Sequence, residues 1–192
     1  MTFRDQAAKL ARCSERLSRL ELTVAGGCAL AVTALIVLNV VTRALNLALF
    51  WVDETAIYIM VWMVLLGTAV TLKRRQALMV TVLVDYLPAG LRRPVGVFID
   101  LSVLLFALLV IAFAWIWYAP LDLARHGFDL AEFSAETMNF MYQERANTFS
   151  LSKFWVWLIV PYFGFSVALH TLANLLGDPR GNYMNQATGA GT

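Results

Sequence analysis

Charged side chains are scarce in this chain: they make up 15% of its 192 residues, where soluble domains carry about 25%. Hydrophobic residues reach 60%, above the roughly 45–50% of soluble domains, and the mean hydropathy is +0.67. The apolar surplus is gathered in long blocks, which excludes an ordinary soluble domain and indicates membrane spans. Cysteine is nearly absent. Cys13 falls in a basic leader and Cys28 within the first apolar block, which argues against a disulfide or metal site and leaves the redox compartment unread. Histidine occurs twice, no Cys/His pair has metal-ligand spacing, and neither a glycine-rich phosphate loop nor Gly-x-Ser-x-Gly is present. Those gaps remove the motif-based case for zinc, nucleotide and serine-hydrolase chemistry. The net charge of +2 is small, so the placement of the charges carries the information.

What is present is organised around Trp51 to Arg75. Asp53 and Glu54 follow a tryptophan, 18 uncharged residues run from Thr55 to Leu72, and Lys73, Arg74 and Arg75 close the stretch. As a helix the uncharged part is about 27 Å long, close to the ~30 Å hydrocarbon layer of a bilayer. Clustered Lys and Arg stay on the cytoplasmic side, so this helix is expected to enter from outside and end inside.

Residues 1–21 hold Arg4, Lys9, Arg12, Arg16 and Arg19, with Phe3, Ala7, Leu10, Leu17 and Leu20 at helical spacing on the other side. The pattern fits a basic amphipathic helix on an anionic cytoplasmic leaflet, or a charged leader that only fixes orientation. It does not fit a secretory signal, because the apolar block behind it is too long and lacks a small-residue cleavage site. Leu22 to Thr42 gives 21 uncharged residues, enough to span. Ala25, Ala29 and Thr33, and Gly27 with Ala31, give it a smooth face for close helix packing.

Residues 76–93 are too short for a span. They contain Asp85, stop at Pro88 and end on Arg92 and Arg93, which fits a short interfacial helix at the inner leaflet. Asp85 is read as solvated or paired with an arginine. The third span covers about 94–119, with Pro94 in its first turn and Asp100 at the interface or against a partner helix. Residues 120–152 form an external loop with a short helix around 130–147. The fourth span covers 154–177, bent near Pro161 and Gly164, and the tail 178–192 is expected to be disordered.

The sequence thus predicts an all-α integral membrane protein. It has four spans (about 22–43, 53–73, 94–119 and 154–177) within a membrane domain 22–177, both termini cytoplasmic. Eleven of the 15 Lys and Arg fall on the inside, and every tryptophan except Trp62 lies at the outer interface. The intramembrane ionisable groups are few: His170, and Arg43, Asp53, Glu54, Asp85 and Asp100 near span ends. His170 raises a haem-binding anchor subunit of a respiratory oxidoreductase as the alternative, although haem b usually takes two axial ligands and His126 lies in the external loop. A lone histidine on a helix is more often a hydrogen-bonded packing residue, and the chain reads as an accessory subunit, not an enzyme.

A set of motifs points to a family. Asn39-x-x-x-Arg43, a short loop, Trp51-Val-Asp-Glu54, Trp62-x-x-x-Leu66-Gly67-Thr-Ala, a basic cluster and Val84-Asp85-Tyr-Leu87-Pro88 follow one another. Together they resemble the small membrane subunit (DctQ-like) of tripartite ATP-independent periplasmic (TRAP) transporters, over roughly residues 22–177. The 120–152 loop is longer than that family leads one to expect. The resemblance implies a bacterial inner membrane location and a large multi-span partner carrying substrate and sodium sites. It also implies a periplasmic solute-binding protein that delivers an organic anion, either a carboxylate or a sialic-acid-like molecule. The small subunit would widen the static scaffold of the large one. No substrate, metal or cofactor site is then expected here. The candidates for subunit contact or for a phospholipid headgroup are Asn39, Arg43, Trp51, Asp53, Glu54, Lys73, Arg74, Arg75 and Asp85, with Arg43 meeting Glu54.

Overall fold

The structure is a computed structural model that describes residues 3–74, 87–148 and 150–177. Arg75, Asp85, residues 76–86 of the expected interfacial helix and the 178–192 tail lie outside the described residues. Among the described residues seven helical segments follow in order: α1 (Phe3–Ala44), α2 (Phe50–Lys73), α3 (Ala89–Tyr118), α4 (Pro120–Arg125), α5 (Leu130–Thr137), α6 (Lys153–Trp157) and α7 (Ile159–Leu176). The only extended pairing among the described residues is an isolated bridge between Arg145 and Ser152. Among the described residues four stretches are long and apolar enough to cross a membrane: Asp5–Ala44, Phe50–Lys73, Gly90–Arg125 and Lys153–Leu176. The all-helical class and the four spans stand as the uncharged runs implied.

The element boundaries differ, each for a local reason. α1 runs without a break from the leader through Leu22, so leader and first span are one helix. Nothing in 1–21 stops it, since no Pro or Gly occurs before Gly26. α3 starts at Ala89, so the last five residues of the expected interfacial segment belong to it, and Pro94 lies inside the helix. There Pro94 withdraws the donor that the Gly90 carbonyl would otherwise meet. α3 stops because Pro120 disfavours the helical region for the residue before it, and Ala119 sits at φ 40°, ψ 51°. α6 and α7 part at Leu158, three residues before Pro161, which cannot donate to the Trp157 carbonyl.

The chain divides into two compact units. One comprises Met1–Leu22, Gly67–Leu109 and Phe163–Thr192; the other comprises Thr23–Leu66 and Val110–Tyr162. In the first, Ala69, Val70, Ala107, Phe163, Val167 and Ala173 are buried, together with an unusual set of polar side chains: Ser14, Ser18, Glu21, Asp100, Ser166, His170, Thr171 and Asn174. The Asn174 amide ties α7 to the end of α2, accepting from Lys73 Nζ at 3.3 Å and donating to the Lys73 carbonyl at 3.2 Å.

In the second unit Ala25, Leu66 and Ile159 form a small core with Val61, Trp62, Leu65 and Val160 packed against it. Trp62 is there for its N–H as much as its ring: Nε1 donates to the Val156 carbonyl at 2.8 Å, beside the α6–α7 interruption. Of the predicted smooth face only Ala25 is buried, while Gly27, Ala29 and Thr33 are exposed. A second core gathers Ala114, Tyr118 and Met141 with Tyr142, Phe154, Trp157 and Leu158. Its rings meet mostly edge to face: Trp117 against Trp157 at 5.9 Å, Tyr118 against Phe154 at 5.7 Å and Phe133 against Tyr142 at 5.7 Å. Such pairs add about 0.5–1.5 kcal/mol each beyond area burial.

The 120–152 segment is folded onto this aromatic core. Asn139 Nδ2 donates to the Trp117 carbonyl at 2.7 Å, Tyr142 Oη to the Tyr118 carbonyl at 2.6 Å, and Gln143 Nε2 to the Leu130 carbonyl at 2.6 Å. Burial pushes the Tyr142 hydroxyl pKa up, so it stays a donor across ordinary pH. Asp129 caps α5 by accepting from the backbone N–H groups of Ala131 and Glu132 at 2.8 and 3.2 Å, and the expected helix around 130–147 is realised as α5 alone.

Candidate functional site

Sequence singled out the turn between the first two spans. The last turn of α1 presents Asn39 and Arg43, and the first turn of α2 presents Asp53. The connection is short enough to bring them together, with Asn46 taking φ 59°. Arg43 Nη2 meets Asp53 Oδ2 at 2.6 Å, and Arg43 Nε donates to Asn39 Oδ1 at 3.0 Å. Asn39 Nδ2 closes the triangle on the other Asp53 oxygen. The pair is exposed, at 60% and 48% of side-chain area, so it contributes only about 0.2–1 kcal/mol as an ion pair.

The expected partner of Arg43 was Glu54, and the structure gives Asp53 instead. Adjacent helical residues point about 100° apart, and Glu54 faces the outer segment. Its Oε1 accepts from Tyr58 Oη at 2.5 Å and from the Asn147 backbone N–H at 2.8 Å. Its Oε2 accepts from the Thr148 N–H at 2.8 Å and the Thr148 hydroxyl at 2.6 Å. Four donors on one carboxylate make a charged clamp between span two and the loop that precedes span four. Trp51 lies beside these groups in sequence and is 42% exposed. Lys73 is engaged with Asn174, Arg74 is exposed at the end of α2, and Arg75 and Asp85 lie outside the described residues.

Sequence did not assemble the network in the other unit. His170, on α7, accepts or donates at Nδ1 to Ser14 Oγ at 2.7 Å and at Nε2 meets Glu21 Oε2 at 2.9 Å. The second Glu21 oxygen accepts from Ser166 Oγ. His170 and Glu21 are each 1% exposed. Either ring nitrogen can donate or accept according to the tautomer, and the Ser14 hydroxyl can take either role opposite it. Ser14, Ser18 and Glu21 lie at i, i+4 and i+7, one face of α1, and Ser166 and His170 lie one turn apart on α7. That spacing was the available signal. It was masked because the leader's cations and leucines suggested the opposite face as the informative one.

The arrangement has a chemical consequence. Both ring nitrogens of His170 face protein partners, and His126 Nε2 faces Glu136 at 3.5 Å in the outer segment. His126, Glu132 and Glu136 converge within 4.8 Å, but two are exposed carboxylates, a common surface arrangement. His170 is a hydrogen-bonded packing residue, as a lone helical histidine usually is.

Comparison with known proteins agrees with this membrane architecture. The family model described as "Tripartite ATP-independent periplasmic transporters, DctQ component" matches residues 32–181. No curated protein and no solved structure matches. The match covers more than three quarters of the chain, the four candidate spans are those of a multi-pass membrane protein, and the chain belongs to the DctQ component family of TRAP transporters, a transporter subunit and not an enzyme.

Proposed function

We propose that this chain is the small permease subunit that braces a large multi-span TRAP subunit in the bacterial inner membrane. The large subunit carries out sodium-driven uptake of an organic anion, a carboxylate or a sialic-acid-like molecule, delivered by a periplasmic solute-binding protein. Residues 22–177 are the membrane domain, both termini are cytoplasmic and the 120–152 segment is periplasmic. The positions of the Lys, Arg and Trp side chains support that orientation.

One observation carries the reading. Among the described residues the buried polar side chains of the membrane units, the Tyr118 hydroxyl excepted, are held in internal bonds, whereas the apolar helix surfaces stay open: only 6% of the apolar window of the first span is buried, against 56% for the fourth. Such a chain offers surface to a partner and to lipid, not a polar path to a solute. The Asn39–Arg43–Asp53 triangle with Trp51 is the outer contact for the large subunit or a phospholipid headgroup, and Lys73, Arg74, Arg75 and Asp85 serve the inner level. Glu54 acts within the chain, holding the outer segment.

The test is co-expression of this chain with the adjacent large subunit and binding protein. Affinity capture of this chain should retain the large subunit, and sodium-driven uptake should vanish when this chain is omitted. Full uptake without it would overturn the reading.

A further inference from the structure

The buried face of the leader is polar, and Leu17 and Leu20, expected on the side opposite the cations, share the open face with Lys9, Arg12 and Arg16. Ser14, Ser18 and Glu21 are turned inward. Around the helix, Lys9, Arg12, Cys13, Arg16, Leu17 and Leu20 line one open groove of about 510 Å³. These positions recur at three- and four-residue steps, so they share one face. Lys9, Arg12 and Arg16 make no hydrogen bond or ion pair among the described residues, whereas Arg19, just off this face, is paired with Glu15 at 3.1 Å.

The groove also has a direction. Its cations occupy the first two turns, and Leu17 and Leu20 follow. From Lys9 to Leu20 the helix rises about 16 Å. Over that length a phospholipid passes from its phosphate to its acyl chains, and flexible Lys and Arg stems can lie along apolar surface while their heads meet an anion.

We infer that this groove is a binding site for one anionic phospholipid, its phosphate held by Lys9, Arg12 and Arg16 and its acyl chain lying on Leu17 and Leu20. Charge complementarity selects an anionic headgroup over a zwitterionic one, because three unpaired cations on one face would be left partly uncompensated by phosphatidylcholine. Leu17 and Leu20, lining the same groove as the cations, select a lipid over free phosphate. The inference goes beyond the brace reading and does not depend on it, since a lipid site on this helix can exist whatever the partner of the chain.

Cys13 lies in the middle of the groove and is exposed, so it reports occupancy. The full chain carrying Cys28→Ser is purified in detergent, and the rate of Cys13 alkylation by a maleimide is followed. Phosphatidylglycerol should slow the reaction about tenfold or more, given that each cation near an anionic surface counts for about 1 kcal/mol. Phosphatidylcholine and inorganic phosphate should leave it unchanged. The triple change Lys9→Gln, Arg12→Gln, Arg16→Gln should abolish protection, while Lys9→Arg, Arg12→Lys, Arg16→Lys should retain it and shows that the exchanges themselves do not unfold the helix. Equal protection by phosphatidylcholine, or protection surviving the triple glutamine change, overturns the inference. Protection that comes only from added large subunit in delipidated detergent makes the groove a protein contact and overturns it too.

Discussion

The two compact units of this protein are held by different chemistry. In the unit built from the leader, the end of α2, most of α3 and most of α7, the interior carries serines, a threonine, an asparagine, a histidine and two acids. In the unit that includes the 120–152 segment, rings do the packing, and the polar ties are exposed or half-buried. A buried Glu21–His170 contact has no water to fall back on, so each partner depends on the other. An exposed Arg43–Asp53 contact can trade its partner for solvent at little cost. The same kind of bond therefore serves as a structural requirement in one unit and as an adjustable latch in the other.

The sharpest way to break that contrast is Glu21→Leu. It leaves the ring of His170 and the hydroxyl of Ser166 buried without their acceptor, at about 1–3 kcal/mol for each unsatisfied group. Thermal unfolding in detergent followed by tryptophan fluorescence should report a marked drop in midpoint. The double change Glu21→Leu with His170→Leu should recover part of it, because the imidazole that had lost its partner is gone.

Glu54→Gln comes next. It replaces a four-fold acceptor by an amide with one acceptor oxygen, and should loosen the outer segment from the second span. The loss should show as faster proteolysis within 139–152 before global unfolding. Trp62→Phe keeps the ring and removes the donor to the Val156 carbonyl, at about 1–3 kcal/mol, read in the same unfolding midpoint. Arg43→Gln should change stability by only about 0.2–1 kcal/mol. Its effect should appear instead in retention of the large subunit during affinity capture, and normal retention would remove the contact role assigned to this triangle.

These differences also explain what could be read in advance. Four uncharged runs are a local property, so the spans were legible from Leu22–Thr42 and Thr55–Leu72 alone. The family was legible from Asn39, Arg43 and the Trp51–Glu54 run, because those residues cluster in sequence. The choice of Asp53 over Glu54 as the partner of Arg43 was not, since one residue of helical rotation decides it and the donors that claim Glu54 lie about ninety residues away, at Asn147 and Thr148. The His170 network joins residues 145–156 positions apart, beyond any periodicity argument. The continuity of α1 was missed because the change from cationic to apolar side chains at Leu22 looks like an element boundary, although charge alone does not end a helix.

The central claim is that this chain braces a transporter and provides no route for a solute. Its most direct test is reconstitution of the purified chain alone in proteoliposomes with an inward sodium gradient and a radiolabelled carboxylate outside. The account predicts no uptake above protein-free vesicles, and uptake once the large subunit and the binding protein are added. Accumulation by the chain alone would contradict it.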